Sequence, residues 1–441
     1  MRKLVLSFVA VVLTFSPGYA LDRQPNADYH ARRVALAKKT AAVVVLFAPL
    51  EAGDAEYGFR QDDNFYYLSG VTEPGVALLI APPVEAKDDN PARPYTEILF
   101  LPPHNLRLEK FTGPKLGADN PDAPKITGFD HVEEMGKLPD EVSKVLAGGR
   151  PVIYTDVASQ GEASASAEPL TFLKRTNAFV FFQDVKPILS SLRTVKDAGE
   201  AALIRKAVDA SVGAHLAAMK AVKPNVTEFE ISGLMQYEWT RRGCERPAYS
   251  PIVGSGHNST VLHYSENSNT MKAGDVVVID AAGEYSMYAA DITRTLPIGG
   301  HFTPRQREIY DIVLGAQEAA IAAFQSGKSM LFGDTETSLN KVAKDYIKTH
   351  GKDLHGQPLD PYFIHGLGHY IGLNVHDAGD YKVPLGPGMT FTIEPGIYIP
   401  EEDIGVRIED DFYVDADGKL IKLSAAAPST AADVEKTMAG K

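Results

Sequence analysis

The sequence predicts a mixed α/β (α+β) protein in two parts: an N-terminal α/β domain, then a C-terminal domain with a pseudo-twofold internal duplication. Three observations carry this expectation. At 441 residues the chain is too long for one ordinary hydrophobic core. Its N-terminal half alternates short β-type apolar runs with amphipathic and turn-rich stretches. From 197 to 411 the order of elements repeats: two helices and then strands carrying two acids, twice over. Halves arranged so would face each other across a pseudo-twofold axis, each bringing a pair of carboxylates to one central site.

Apolar content of 44% and charged content of 23% belong to a soluble globular protein. Residues 1–20, MRKLVLSFVAVVLTFSPGYA, have a basic start at Arg2 and Lys3, an apolar run from Leu4 to Phe15, and small residues at Gly18 and Ala20. This is the pattern of a secretory signal peptide, with cleavage expected before Leu21 and an exported, periplasmic or secreted, mature chain. A membrane anchor needs about 20 apolar residues; this run is shorter and is broken by Ser16-Pro17-Gly18. No later stretch is apolar enough to span a bilayer, so no membrane span is expected after cleavage. Removing residues 1–20 takes the formal charge from −13 to −15. Nucleic acid is excluded as a partner, because phosphate binding needs a basic face. Cys244 is the single cysteine, so no intrachain disulfide can form; after the helix-ending Gly243 it reads as a small packed residue.

The expected domains are 21–190 and 191–441, with the boundary in the stretch Pro187 to Lys196. In the first, the basic amphipathic YHARRVALAKKT precedes AVVVLFAPL, a continuous run that reads as a buried strand. In FRQDDNFYYLSGVTEPGVALLIAPP, Phe65 to Leu68 and Val76 to Ile80 are strand-like and separated by turn signals. Glu97 to Pro102 and Pro151 to Thr155 add short strands around a Pro- and Gly-rich surface segment, 102–128. His104 and His131 read as ordinary surface histidines.

In the second domain, Asp197 to Val222 has helical periodicity, and Pro224 ends it. Thr227 and Glu230 form a capping box for a helix ending at Gly243. Thr303-Pro304-Arg305-Gln306 opens another helix, with a capping box and proline at its first position, running to about Gln325. A fourth is expected from about Thr335 to His350, closed by Gly351.

Three blocks concentrate the chemistry. VVVIDAAGEYSMYAADITRT carries Asp280 and Asp291; HGLGHYIGLNVHDAG carries His365, His369 and His376; TFTIEPGIYIPEEDIGVRIEDD carries Glu394 and Glu409. The first and third share a plan of apolar run, carboxylate, Gly-containing turn and second strand, with spacings that suit hairpin partners on one sheet face. Taken singly, each acid has a bland reading. Asp280 is a turn aspartate, Asp291 has Arg294 as an ion-pair partner, and Glu409 alternates with Arg407 on a solvated face. Glu394 resists such a reading, since glutamate suits a β-run poorly. A carboxylate ending a buried strand is costly unless paired or metal-bound, and four together favour metal. Four carboxylates and one imidazole suit two divalent ions sharing bridging oxygens. Three histidines within twelve positions suggest one ligand, with the others handling substrate or protons. His263, in NSTVLHY, is a fourth candidate.

These blocks resemble the pita-bread metallopeptidases, and among them the aminopeptidase P (Xaa-Pro aminopeptidase) family. YSPIVGSGHNSTVLHYSENS, VVIDAAGEY, ADITRT, HGLGHYIGLNVHD, TIEPGIY and GVRIEDD each resemble a family block, in family order, and FRQDDNFYYLSG resembles the family's N-terminal domain. The resemblance implies a pita-bread catalytic domain with Asp280, Asp291, His369, Glu394 and Glu409 as metal ligands, Asp291 and Glu409 bridging. It implies that His263, His365 and His376 hold substrate and stabilise the transition state, and that Arg407 and Tyr398 are linked to Asp280. The segment 102–128 and an Ala-rich tail after Leu423 lack an evident counterpart.

The implied reaction is hydrolysis of the bond before proline at peptide N-termini by a metal-bridging hydroxide. Glu394 serves as general base, and His263 or His376 steadies the oxyanion. An oxygen-dominated ligand set suits Mn²⁺, with Zn²⁺ or Co²⁺ as alternatives. The partners are peptides with proline second; a homo-oligomer stays open. The runner-up is prolidase, which cuts Xaa-Pro dipeptides, and a third reading is a non-catalytic peptide-binding module. The large N-terminal domain disfavours a methionine aminopeptidase.

Overall fold

The computed structural model describes residues 22–51, 58–83, 96–147, 152–157, 171, 173–175 and 179–440; the expected signal peptide and Leu21 lie outside them. The helix Asn26–Thr40 lies against a six-stranded mixed sheet. In spatial order its strands are His131–Glu134, Thr96–Leu101, Ala77–Ala81, Val43–Phe47, Val152–Thr155 and Phe181–Asp184. Val43–Phe47, the expected buried strand, is central, antiparallel to Ala77–Ala81 and parallel to Val152–Thr155. Its side chains alternate between two apolar clusters, one on each sheet face, as the two-residue strand period requires.

Phe65 to Leu68 corrects the sequence reading: it lies in the helix Asp63–Ser69 and not in a strand. Asp62 accepts the Phe65 N–H as N-cap, and Gly70 closes the helix with φ +60°. All five residues from Phe65 to Ser69 are buried. A short run buried on every side has no hydrophobic period to separate helix from strand. Pro187 to Lys196 is packed chain: it lies largely in the helix Lys186–Arg193, and the buried Lys196 donates its N–H to Gly388 O.

In the C-terminal part the helix Ala198–Ala221 starts at Asp197, whose side chain forms a capping box with Glu200. The expected boxes at Thr227/Glu230 and Thr303/Gln306 open the helices Glu228–Thr240 and Pro304–Ala323. The fourth helix runs Leu339–Thr349, beginning later than expected because Ser338 supplies the cap. The helices pack in two pairs. Each pair backs a three-stranded sheet: Ile252–Ser255, Val276–Asp280 and Thr293–Pro297 in the first half, Thr390–Ile393, Asp410–Val414 and Leu420–Lys422 in the second. The hairpin Gly396–Ile399/Ile404–Arg407 completes the second half. A bridge joins the halves, the Glu409 N–H donating to Thr293 O at 3.1 Å.

Arg294 is a second correction. Its guanidinium pairs with Asp410, at 2.6 Å, and not with Asp291; both side chains are fully buried. It also donates to Ala427 O and Pro428 O. The tail after Leu423 is therefore integral: Ala427 and Ala431 are buried, and the helix Ala431–Met438 packs against Ala198–Ala221. His104 lies between Glu109 and Asp119 in the segment 102–128, and His131 is exposed on an edge strand. Cys244 is buried, and burial pushes its thiol up to about 12.

The stretch joining the two parts of the chain is clamped to the catalytic part at Asp377, which is buried between Arg193 and Lys196 (Nζ to Oδ2, 2.7 Å). Burial alone would raise its carboxyl; the two cations lower it below the usual aspartate value. A depressed folded value means that stability is present above the unfolded value, about 3.9, and is lost as pH falls through the folded one. Asp377→Ala is expected to cost about 3–5 kcal/mol at neutral pH. In urea titrations the gap between wild type and variant should shrink below about pH 4.

Candidate metal centre

Two strand ends and two hairpin exits converge between the half-sheets. Asp280 is the last residue of Val276–Asp280, and the antiparallel register sets it opposite Thr293, so the turn delivers Asp291 to the same place. In the second half Glu394 leaves the end of Thr390–Ile393, and Gly396 faces Arg407 in the next hairpin, which carries Glu409 back beside it. His369 comes from the glycine-rich stretch. Its N–H donates to Thr392 Oγ1 (3.0 Å), and Gly368 lets the loop lie on the strand: a Cβ there would sit 2.1 Å from Thr392 O.

His369 Nε2 lies 3.3 Å from Asp291, 3.4 Å from Glu394 and 4.0 Å from Glu409. Asp291, His369 and Glu409 each offer a ligand atom within 4.8 Å of the others. Burial, then repulsion by neighbouring acids, raises the carboxyls of Asp291 and Glu409; Glu394 is pushed up to about 7 by burial, with Asp291 and Asp280 adding to it. Burial works against charge on His369, but the bond to Asp291 and the nearby Glu394 lift it to about 9. Protons thus accumulate where a divalent cation would compensate the same charges. The donor set, four carboxylates and one imidazole, fits that chemistry.

Around this cluster Arg407 Nη2 donates to Asp280 Oδ2 (2.6 Å) and Nη1 to the Tyr398 hydroxyl (2.7 Å). That hydroxyl lies 2.8 Å from His365 Nε2, while His365 Nδ1 lies 2.8 Å from Gly366 O. The bonds fix Nδ1 as the donor and leave Nε2 to accept from Tyr398. Burial, reinforced by Arg407, lowers His365 to about 4 and keeps it neutral near pH 7. The His376 ring stacks on His369, centroids 4.0 Å apart. His263 and His376 line a cavity of about 270 Å³ with Tyr249, Ile252, Asp280 and Asp291. All ten residues singled out in the sequence therefore meet here.

Three residues that the sequence did not single out belong to the same site. The Tyr249 hydroxyl lies 2.5 Å from Asp280 Oδ1 and 2.6 Å from Asp291 Oδ1, although a phenol has one proton to give. Thr293 Oγ1 donates to Glu409 Oε2 (2.6 Å). Asp411 accepts the Asp291 N–H through Oδ2 (3.0 Å) and keeps Oδ1 buried without a hydrogen-bond partner among the described residues. Tyr249 opens one of the motif stretches, but as a neutral residue it gave no charge signal.

Residues 202–416 match metallopeptidase family M24, and residues 29–154 match the aminopeptidase P N-terminal domain. Proteins named Xaa-Pro aminopeptidase from Haemophilus influenzae and Escherichia coli are 33% and 34% identical to the chain. The alignments cover 95% and 93% of it and 98% and 97% of those proteins. The chain belongs to the aminopeptidase P branch of family M24. Among solved structures, proline aminopeptidase P II from Yersinia pestis superposes with a TM-score of 0.80 at 33% identity, covering 95% of this chain and all of that one. The pita-bread fold is that of the aminopeptidase P structures, and membership in a metallopeptidase family makes this protein an enzyme that works with divalent metal.

Proposed function

We propose that this enzyme removes the N-terminal residue of peptides with proline at the second position, using two divalent cations, Mn²⁺ by preference. The observation that carries the reading is the cluster of Asp280, Asp291, His369, Glu394 and Glu409, buried but for a partly exposed Glu394 and opening on a cavity edged by His263 and His376. The relatives named Xaa-Pro aminopeptidase, aligned over nearly the whole chain, support it. Asp291 and Glu409 would bridge the cations, which when bound polarise the scissile carbonyl and acidify the attacking water. Glu394 takes the water's proton on its carboxylate as general base. His263 and His376 face the cavity, where a ring N–H meets the carbonyl oxygen as charge develops on it. Arg407 orients Asp280 and Tyr398, and Tyr398 holds the His365 ring, whose tautomer the Gly366 carbonyl sets.

The bond before proline is a tertiary amide with no N–H, so the site must read ring shape in place of a donor. One observation favours an aminopeptidase over prolidase. A dipeptidase must satisfy the free carboxylate of proline, usually with a basic group. The described lining of the cavity is Tyr249, Ser250, Ile252, His263, Ser265, Asp280, Asp291, Val375 and His376, which includes no lysine or arginine. Ala-Pro-Ala is therefore expected to be cleaved with a kcat/KM at least equal to that of Ala-Pro under saturating Mn²⁺. A strong preference for the dipeptide would reassign the enzyme as a prolidase.

Asp291→Ala and Glu409→Ala are each expected to abolish turnover and lower bound metal, because a bridging carboxylate serves both ions. His365→Ala should lose rate and keep its metal. Metal analysis beside turnover checks both, and near-normal turnover with two metals bound in either acid variant would refute the bridging roles.

We also propose export, on the pattern of residues 1–20. N-terminal sequencing of protein from its native host is expected to start at Leu21; a start at Met1 would count against it.

A further inference from the structure

His376 sits on a loop of the catalytic part that is tied down from the N-terminal part. Arg60 Nη2 donates to Leu373 O (2.6 Å), while its Nε holds Glu284 and its Nη1 holds Asp63 Oδ1, each at 2.8 Å. Asp63 Oδ2 accepts from Asn374 Nδ2 (3.3 Å), and Asn374 Oδ1 in turn accepts the His376 N–H (3.1 Å). One amide side chain therefore joins the N-terminal part to the backbone of His376. Beyond the histidine, Arg193 and Lys196 hold Asp377, and Arg193 Nη1 donates to Asn64 Oδ1 (2.7 Å). Leu373 is buried in the apolar cluster that includes Phe65 and Tyr66. The loop is fixed before, at and after the histidine by groups around the stretch FRQDDN, and none of those groups lines the cavity.

We propose that Arg60, Asp63 and Arg193 are positioning residues that set the place of His376, so that the N-terminal domain acts on the reaction through this brace. His376 is exposed apart from its stacking on His369 at 4.0 Å, so its station over the cavity depends on how its backbone is held. Displacement of a reacting group by about 1 Å costs up to about 10²-fold in rate. The inference rests on the proposed function only for the role of His376.

The test uses the full-length enzyme with Mn²⁺ and Ala-Pro-Ala. Asp63→Ala and Asn374→Ala cut the brace at opposite ends, each made alone and in a His376→Ala background. Asp63→Ala leaves the Arg60–Glu284 and Arg193–Asp377 pairs in place, and Asn374 is exposed, so both variants should fold. Alone, each is expected to lower kcat/KM by roughly tenfold or more with bound metal unchanged. In the His376→Ala background either should cost less than about twofold, because coupled residues are not additive. On the metal-free chain, the His376 ring NMR signal, assigned by its loss in His376→Ala, should move in both variants. Equal losses in the two backgrounds, or an unmoved ring signal, would overturn the brace. If wild type cleaves no Xaa-Pro peptide, the functional reading fails separately, and the ring signal alone decides: moved upholds the brace, unmoved overturns it.

Discussion

Three buried carboxylates, the partly exposed Glu394 and one buried imidazole crowd together at the meeting of two half-sheets, and the rest of the catalytic part depends on tolerating that crowd. Acids brought out of water repel one another strongly in a low dielectric. Burial first, and that repulsion after it, raises the carboxyls of Asp291, Glu394 and Glu409. Arg407 offsets part of it through Asp280 and the neutral Tyr398. The remainder is left for cations, which is what makes the place a metal centre. A wholly satisfied ion-pair network in the same position would bind nothing.

Holding such a cluster in register needs a stiff support, and the duplication provides it. Each half contributes one pair of acids at the ends of adjacent strands, so their spacing within a pair is set by the strand register. The spacing between pairs is set by the Thr293–Glu409 bridge and by Arg294. Arg294 gathers carbonyls of Thr293, Glu409, Ala427 and Pro428 around one buried guanidinium, so first half, second half and tail share a single anchor. Its five fixed donors suit that task in a way that lysine would not.

The sequence made the acids legible because a carboxylate at the end of an apolar β-run is out of place. Repetition of the pattern in two blocks turned four weak signals into one. Capping boxes at Thr227 and Thr303 marked helix starts correctly, since that signal is local. What stayed hidden depends on contacts between distant segments. Arg294 is three residues from Asp291 in sequence, yet its partner is Asp410, more than a hundred positions away. Tyr249, Thr293 and Asp411 enter the site through hydrogen bonds that no periodicity announces. Phe65 to Leu68 was misread because complete burial erased the difference between the two apolar periods.

The three histidines of one short block end in two electrostatic states, and this is where the fold turns residues of one type into separate tools. His369 stands among carboxylates that hold it charged in the absence of metal, and a cation in that place would free its nitrogen as a ligand. Burial lowers His365 to about 4, and partial desolvation beside the charged His369 does the same for His376, so both are neutral near pH 7 and able to donate or accept without carrying charge. His365 has its tautomer set by the Gly366 carbonyl and its ring held by Tyr398, which is held by Arg407, which is held by Asp280. The orientation of a substrate-side ring is thus tied to a metal-side carboxylate through two hydrogen-bonded links. A change at either end of that chain must be felt at the other.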